Sequence, residues 1–194
     1  MEREQVLDEF RDAGALLEGH FVLSSGRHSS AYMQCARVLM DARRADRLCG
    51  ELAKSVRARF PEGFDMVISP AMGGVVVGYE MGRQLGIPAI FMERVEGTFT
   101  LRRGFDVAPG ARCLMVEDVV TTGLSSRECI AAIAEAGGNC VGAACLVDRS
   151  GGAADVGVPL VALVTLEVPS YLDSEVPPEL AAIPVTKPGS RFLK

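Results

Sequence analysis

The stretch from Cys113 to Ser126 constrains the fold of this chain more than any other. It reads CLMVEDVVTTGLSS: an apolar run, two adjacent carboxylates, and a turn rich in hydroxyl groups and glycine, followed by a helical pattern. This order predicts a buried strand that leads through a turn into a helix whose first N–H groups can bind an anion. A phosphorylated sugar fits both halves of the stretch. Its phosphate would lie on the turn, and its hydroxyl groups, or a bridging divalent metal, would lie near the carboxylates.

The acidic pair argues against the alternative that this stretch is only an ordinary helix start. A capped helix needs one hydroxyl, here Ser125 or Thr122, with Glu128 as the carboxylate that reaches back. It does not need both Glu117 and Asp118 at the end of a buried strand, where unpaired charge is unfavourable. We therefore favour a ligand-binding motif.

From residue 65 onward, short apolar strands alternate with helical patterns. The predicted helices there are Val75–Leu85 and Ser125–Ala136, and the predicted strands are Met66–Ser69, Ala89–Met92, Cys113–Val116, Cys140–Val147 and Leu160–Val168. This alternation predicts an α/β fold with a parallel sheet covered on both faces. In such sheets ligands bind beyond the carboxyl ends of the strands.

The first third of the chain has a different pattern. Apolar residues at helical spacing predict a helix over Glu2–Leu17 and a longer amphipathic helix over Leu39–Phe60. Two short extended segments, Phe21–Leu23 and Ala31–Cys35, lie between them, joined by a serine- and glycine-rich turn.

Three further strand ends carry polar or glycine-rich segments. Pro70–Gly74 is either a second anion turn or only a tight turn into a helix. Glu93–Pro109 is a polar excursion, either a functional lid or a solvated hairpin, and it contains three arginines. Arg149 either faces a carboxylate of the ligand or pairs with Asp148 at the surface. Together these strand ends suggest a substrate with two separated phosphate groups.

Composition narrows the functional classes. The 194 residues carry a net charge of −5, which disfavours nucleic acid and anionic membranes as partners. No apolar run approaches the ~20 residues that span a bilayer, and the charged start MEREQVLDEF lacks the apolar region of a signal peptide, so we expect a cytoplasmic protein. The six cysteines form no CxxC pair and are expected to be buried thiols rather than disulfides or metal ligands. With only two histidines and no Ser-His-Asp arrangement, we expect catalysis by positioning and charge.

Several segments resemble a known family. VEDVVTTG, with its flanking strand and helix, resembles the motif of type I phosphoribosyltransferases that binds 5-phosphoribosyl 1-diphosphate (PRPP). GALLEGHFVLSSGRHSSAYMQ resembles the start of orotate phosphoribosyltransferases, and ISPAMGGVVVG resembles their pyrophosphate loop. TLRRGF resembles the flap of one bacterial subgroup, and LVDRSGGA resembles the strand end that contacts orotate. The resemblance covers nearly the whole chain in order.

The resemblance implies a type I phosphoribosyltransferase fold with a Rossmann-like central parallel sheet, a small hood and a mobile flap. It places residues 1–194 in one domain, with hood elements at 1–37 and about 165–194, a core at 60–165 and the flap at 94–104. The implied reaction transfers 5-phosphoribosyl from PRPP to orotate, giving orotidine 5′-phosphate and diphosphate in de novo pyrimidine (UMP) biosynthesis. Mg²⁺ is the implied cofactor. A homodimer is implied as well, in which the flap often closes over the partner's active site.

The resemblance also implies roles for individual residues. The implied catalytic residues are Arg94, Arg102, Arg103 and Asp118. The implied PRPP contacts are Ala71, Met72, Gly73, Gly74, Glu117, Asp118, Val119, Val120, Thr121, Thr122, Gly123, Leu124 and Ser125. The implied orotate contacts are Thr121, Arg149, Tyr32 and Met33, with Arg149 facing the orotate carboxylate. Mg²⁺ is bound through PRPP, with Glu117 and Asp118 nearby.

This chain departs from many family members in three places, one of which is Ser24, with Arg27 nearby, where the turn after the first strand often has a basic residue. Its flap lacks lysine and histidine, and Gly73 or its neighbour stands where the pyrophosphate loop often has lysine. The sequence therefore leaves open which residue assists the leaving pyrophosphate. Two alternative functions remain. A purine phosphoribosyltransferase would have less use for a cation such as Arg149 that faces a carboxylate of the base. A PRPP-sensing regulator that binds nucleic acid is disfavoured by the net charge of −5.

Overall fold

The computed structural model describes residues 1–23 and 26–187, which form two β-sheets and the helices that cover them. The helices are α1 (Arg3–Asp12), α2 (Cys35–Leu39), α3 (Ala42–Arg59), α4 (Gly73–Leu85), α5 (Leu124–Glu135) and α6 (Pro178–Ala181). The strands are β1 (Leu16–Val22), β2 (His28–Met33), β3 (Met66–Pro70), β4 (Ala89–Val95), β5 (Thr98–Leu101), β6 (Arg112–Val120), β7 (Asn139–Asp148), β8 (Leu160–Thr165), β9 (Ser170–Tyr171) and β10 (Val185–Thr186).

The larger sheet has six strands in the order β5-β4-β3-β6-β7-β8. All neighbours are parallel except β5, which forms an antiparallel hairpin with β4 at one edge. The chain runs outward from β3 to that edge and then returns to β6, which lies beside β3. The strand order therefore reverses between β3 and β6, which is where ligands bind in open α/β sheets. The predicted α/β fold with a central parallel sheet is confirmed.

Two apolar cores cover the faces of this sheet. On one face α3 and α4 bury Leu48, Leu52 and Met81, and on the other α5 buries Cys129 and Ile133. Each such aliphatic side chain stabilises the fold by about 1.5–3 kcal/mol relative to an exposed one. All six cysteines are free, and only Cys140 is not fully buried, so the prediction of buried thiols is confirmed. In the described part of the chain, no helix combines the length and apolarity needed to cross a bilayer.

The smaller sheet has the order β10-β1-β2-β9 and joins the N-terminal hairpin to two C-terminal strands. Two buried histidines link its strands: Nε2 of His20 lies 2.6 Å from Nδ1 of His28. Nδ1 of His20 also lies 3.2 Å from the carbonyl oxygen of Ile183, which ties the C-terminal segment to the hairpin. We propose that this sheet is the hood. Residues 188–194 of the predicted hood lie outside the described residues.

Several predicted boundaries in the first third are wrong. The first helix ends at Asp12 rather than Leu17, because Gly14 adopts a φ of 60° and the chain then enters β1. The predicted helix Leu39–Phe60 begins later, as α3 at Ala42, because the Asp41 side chain caps it by accepting from the N–H groups of Arg43 and Arg44. Leu39 belongs instead to the short helix α2 that precedes it. Cys35, predicted to end a strand, instead begins α2.

The central strand is longer than predicted. β6 does not end at Val116 but continues to Val120, and β7 pairs with it along this extension. The acidic pair therefore lies within the strand, so that its two side chains point to opposite faces of the sheet.

Candidate active site

The turn after β3 packs against the end of β6. A Cβ on Gly74 would lie 3.1 Å from the carbonyl oxygen of Val116, and a Cβ on Gly73 would lie 2.8 Å from Oδ1 of Asp118. Met72 stands exposed beside them. The structure therefore brings the predicted pyrophosphate turn, 71–74, and a predicted ribose-binding carboxylate into one crevice at the point where the strand order reverses.

The two carboxylates of the acidic pair have different neighbours. Oε2 of Glu117 accepts a hydrogen bond from Oγ of Ser126 on α5 at 2.5 Å. Asp118 points to the other face, where Gly73 and the Cys35 thiol lie close to it. The Cys35 thiol donates to the backbone carbonyl oxygen of Asp118 at 4.0 Å. Within the described residues, no side chain donates a hydrogen bond to the Asp118 carboxylate, which is therefore available to a ligand.

Burial dominates the ionisation of both carboxylates. It raises the pKa of Glu117, and the neighbouring Asp118 raises it further, while the Ser126 hydroxyl lowers it. Burial also raises the pKa of Asp118, partly offset by the backbone N–H groups of Val119 and Asp118. A buried carboxylate that lacks a fixed cationic partner suits a ligand that supplies hydroxyl groups or a cation.

The predicted anion turn leads into α5 through a glycine at the N-cap position. Gly123 is the N-cap residue with a φ of 74°, and a Cβ there would lie 2.9 Å from the carbonyl oxygen of Asp155, so only glycine fits. The alternative with Ser125 or Thr122 as the N-cap residue is wrong, because Gly123 holds that position, and Glu128 pairs with Arg94 instead of reaching back. The Thr122 hydroxyl still accepts from the N–H of Leu124, the first residue of α5, at 3.4 Å. The exposed hydroxyl groups of the turn and the remaining N–H groups at the start of α5 are donors that an anion can use.

The end of β7 places Arg149 beside the end of β2. Burial lowers the pKa of Arg149, whereas Cys35 and Tyr32 are close enough to raise it. Across residues 1–23 and 26–187, the Arg149 guanidinium forms no salt bridge and no hydrogen bond. Met33 is buried at the end of β2. The predicted orotate residues Arg149 and Tyr32 are thus neighbours in the structure.

Asp148 does not pair with Arg149, so the alternative of a surface ion pair is wrong. The Asp148 carboxylate accepts from the backbone N–H and the hydroxyl of Ser150 at 2.8 and 2.6 Å, and from the N–H of Gly152 at 3.0 Å. These bonds hold the loop after β7 and leave the guanidinium of Arg149 free for a ligand.

The β4–β5 hairpin carries the predicted flap arginines, and two of the three are paired. Arg94 contacts Glu128 on α5 at 2.5 Å. Arg103 donates to both oxygens of Glu93, at 3.0 and 2.9 Å. Arg102 is exposed and forms no ion pair with any described residue. Of the flap cations, Arg102 is therefore the one available to an incoming anion.

Three supporting residues were missed by sequence reasoning. The Ser126 hydroxyl donates a hydrogen bond to Glu117, and the Glu93 carboxylate accepts from Arg103, which lies ten residues further along the chain. Arg127 braces the anion turn by donating to the carbonyl oxygens of Thr122 and Asp155. Ser126 and Arg127 follow the motif directly, so their position could have indicated them, but Glu93 gives no local signal.

The comparisons with known proteins agree with this fold and site. The sheet topology and the strand-end crevice are those of a type I phosphoribosyltransferase, and a family model described as a phosphoribosyl transferase domain matches residues 39–167. The orotate phosphoribosyltransferase of Caulobacter vibrioides is 58% identical over 194 residues, which is 100% of both chains. That of Novosphingobium aromaticivorans is 59% identical over 191 residues, 98% of each chain. The solved orotate phosphoribosyltransferase of Aeropyrum pernix aligns with a TM-score of 0.69 at 28% identity, over 84% of this chain and 94% of that one. This chain belongs to the orotate phosphoribosyltransferase family of pentosyltransferases.

Replacing Gly73 by alanine is expected to weaken PRPP binding without unfolding the protein. The new Cβ, 2.8 Å from Oδ1 of Asp118, forces that carboxylate to rotate. We expect the KM for PRPP to rise about tenfold or more, since small displacements of binding groups have large effects. Gly50→Ala is the matched control, because its Cβ would lie 3.5 Å from the Gln84 side chain, an ordinary contact. Unchanged PRPP kinetics in Gly73→Ala would contradict the assignment of Asp118 to the PRPP site.

Proposed function

We propose that this chain transfers the 5-phosphoribosyl group of PRPP to orotate and releases diphosphate. The observation that carries the choice of base is Arg149, a half-buried guanidinium without an ion-pair partner among the described residues, close to Tyr32. A planar guanidinium matches the carboxylate of orotate. A purine offers no such carboxylate and would leave this half-buried cation unpaired, which is unfavourable.

The ribose and its 5-phosphate occupy the crevice between β3 and β6. Asp118 accepts hydrogen bonds from the ribose hydroxyl groups on one side of the strand. Glu117 accepts hydrogen bonds from the ribose on the other side. The 5-phosphate binds to the turn 121–125 and to N–H groups in the first turn of α5. The backbone N–H of Arg149 donates to the carbonyl oxygen of Val120 at 2.8 Å. Thr121 follows Val120 directly and therefore lies beside Arg149, so we place it in contact with orotate as well.

The reaction is a displacement at the anomeric carbon. A bond forms between a ring nitrogen of orotate and this carbon, while its bond to the diphosphate oxygen breaks through an oxocarbenium-like state. The buried carboxylates favour the positive charge that develops on the ribose. Arg102 binds the diphosphate as negative charge builds on it, whereas Arg94 and Arg103 keep their glutamate partners and hold the hairpin in shape. Closure of the flap excludes water, which would otherwise hydrolyse PRPP.

The acidic pair fits a Mg²⁺ ion that is held mainly by PRPP. Among residues 1–23 and 26–187, no cluster of three or more His, Cys, Asp or Glu side chains could hold a metal alone. Mg²⁺ usually takes one or two carboxylates together with substrate phosphates, and the Asp118 carboxylate has no competing side-chain donor. When bound, the ion offsets charge on the leaving diphosphate.

Substrate turnover tests the assignment to orotate. The protein is expected to form a nucleotide from PRPP and orotate, and not from hypoxanthine, xanthine or adenine. Arg149→Met should raise the KM for orotate about 100-fold, because it removes a charge-assisted bond, and should leave the KM for PRPP nearly unchanged. Arg43→Met, at an exposed position on α3, is the matched control. Turnover of only a purine, or a normal orotate KM in Arg149→Met, would refute the role of Arg149.

We also propose that the chain forms a homodimer through an exposed apolar stripe at the start of α4. Met72, Val76 and Tyr79 recur at helical spacing and are 81%, 48% and 69% exposed, which is unusual for apolar side chains of this size in one stripe. We assign this stripe to a second copy of the chain, because it continues directly from the turn 71–74. A partner seated there lies at the rim of the active site and can lend its flap to it.

The dimer assignment predicts that Tyr79→Glu shifts the protein toward monomer, because a charge placed in an apolar interface is unfavourable. Sedimentation velocity over a range of concentrations measures this shift. Leu172→Glu, which changes another exposed apolar residue (49%), serves as the control. If Tyr79→Glu leaves the dissociation constant of the dimer unchanged, the stripe is not the interface.

A further inference from the structure

Ser126 is a buried hydroxyl group on α5 that faces the end of β6. It is 0% exposed, and its Oγ donates to Oε2 of Glu117 at 2.5 Å. A serine within a helix commonly bonds to the backbone carbonyl of the preceding turn or to water. Here the hydroxyl holds a carboxylate instead, and that carboxylate belongs to the PRPP motif.

The surroundings of Glu117 leave Ser126 as its main anchor. Burial raises the pKa of Glu117, and Ser126 makes the largest opposing contribution, ahead of Ser125 and Arg94. The Arg94 guanidinium is committed to Glu128, which it contacts at 2.5 Å. Because a charged carboxylate in a partly buried position is sensitive to each hydrogen bond it receives, the Ser126 bond fixes its orientation.

We propose that Ser126 is a positioning residue that orients Glu117 toward the ribose of PRPP. The inference rests on the proposed function, since it takes Glu117 as an acceptor for the ribose. Ser126 lies in the first turn of α5, the same turn whose N–H groups face the 5-phosphate. One rigid helical turn therefore both binds the 5-phosphate and orients the Glu117 carboxylate. The phosphate and the hydroxyl groups of the ribose phosphate are thus recognised by the same turn.

A double-mutant cycle in the full-length protein tests this proposal. Ser126→Ala is expected to raise the KM for PRPP about tenfold, the effect of one hydrogen bond to a charged group. The kcat and the KM for orotate should stay within about twofold, because uniform binding of PRPP is what is lost. Glu117→Gln should also raise the KM for PRPP. The double variant should match Glu117→Gln alone, because Ser126 acts only through Glu117.

Ser55→Ala is the control. Ser55 lies on α3, outside the site, and its Oγ donates to the backbone carbonyl oxygen of Glu51 at 3.5 Å, as a helical serine commonly does. Removing this hydroxyl should leave the KM for PRPP unchanged. Thermal unfolding of each variant separates loss of binding from loss of folded protein.

The outcomes distinguish this proposal from the proposed function. A normal KM for PRPP in Ser126→Ala, beside an impaired Glu117→Gln, overturns the positioning role and leaves the function standing. Additive effects in the double variant overturn it as well, because the hydroxyl would then act independently of Glu117. A normal KM for PRPP in Glu117→Gln overturns the ribose role of Glu117 itself, and the positioning role falls with it.

Discussion

Replacing Asp118 by asparagine is expected to lower kcat/KM for PRPP by about 100-fold or more, because each hydrogen bond between a ribose hydroxyl and a charged acceptor contributes about 1.5–3 kcal/mol. Asparagine keeps the size of the side chain but removes the charge that favours an oxocarbenium-like state. Steady-state kinetics with PRPP and orotate varied in turn measure the effect. The KM for orotate should change much less.

The same substitution should leave the free energy of unfolding unchanged or slightly higher. Burial raises the pKa of Asp118 above its value in the unfolded chain, so the ionised carboxylate destabilises the folded state at neutral pH. The stability difference between Asp118→Asn and the parent should therefore be present at neutral pH. It should disappear as the pH falls below the usual range of aspartate, where the carboxyl group is protonated in both states. Denaturant unfolding at several pH values measures this.

Asp65→Asn is the control for Asp118→Asn. Asp65 precedes β3 at the opposite end of the sheet, where its Oδ2 accepts from the backbone N–H of Arg112 at 2.7 Å, and asparagine can keep that bond. If Mg²⁺ bridges PRPP and Asp118, the Asp118 variant should also need more Mg²⁺ for its half-maximal rate. A variant that turns over normally would refute the ribose role, and an unchanged Mg²⁺ requirement would place the ion on PRPP alone.

Replacing Arg102 by alanine is expected to lower kcat about 100-fold, the usual effect of removing one donor that stabilises developing negative charge. Arg102 is exposed and free of ion pairs among the described residues, so it can meet the diphosphate without first leaving a partner. The KM for orotate should change little, because the base binds at the end of β7. Single-turnover measurements separate this chemical step from product release.

The other flap arginines provide the comparison for Arg102. Arg103→Ala should reduce kcat less, because the Arg103 guanidinium is held by Glu93, which also keeps its pKa raised. Arg43→Ala, at an exposed position on α3, should have no effect. An unchanged kcat in both Arg102→Ala and Arg103→Ala would show that the flap serves only as a cover.

Much of this fold followed from local patterns, and the errors have physical causes. The prediction ended β6 at Val116, because two adjacent carboxylates resemble a strand end. In the folded chain β7 continues the ladder, pairing Glu117 with Cys145 and Val120 with Asp148, so the strand extends through the acidic pair. Similarly, apolar periodicity placed the start of the long helix at Leu39, whereas Leu39 ends α2 and the Asp41 side chain caps a helix that begins at Ala42.

The sequence by itself identified the side chains that we propose carry the chemistry: the acidic pair, the glycine-containing anion turn and the arginines after the strands. These are local features, because a strand, turn and helix in direct succession depend on neighbouring residues. Only the tertiary structure decided which of these groups are free to act. Arg94 is bound by Glu128, 34 residues away, and Asp118 faces the turn after β3 only because the chain returns from the sheet edge to place β6 beside β3. Partners that lie far apart in sequence and meet only after folding leave no local pattern, so the sequence could not distinguish Arg102 from Arg103 or Asp118 from Glu117.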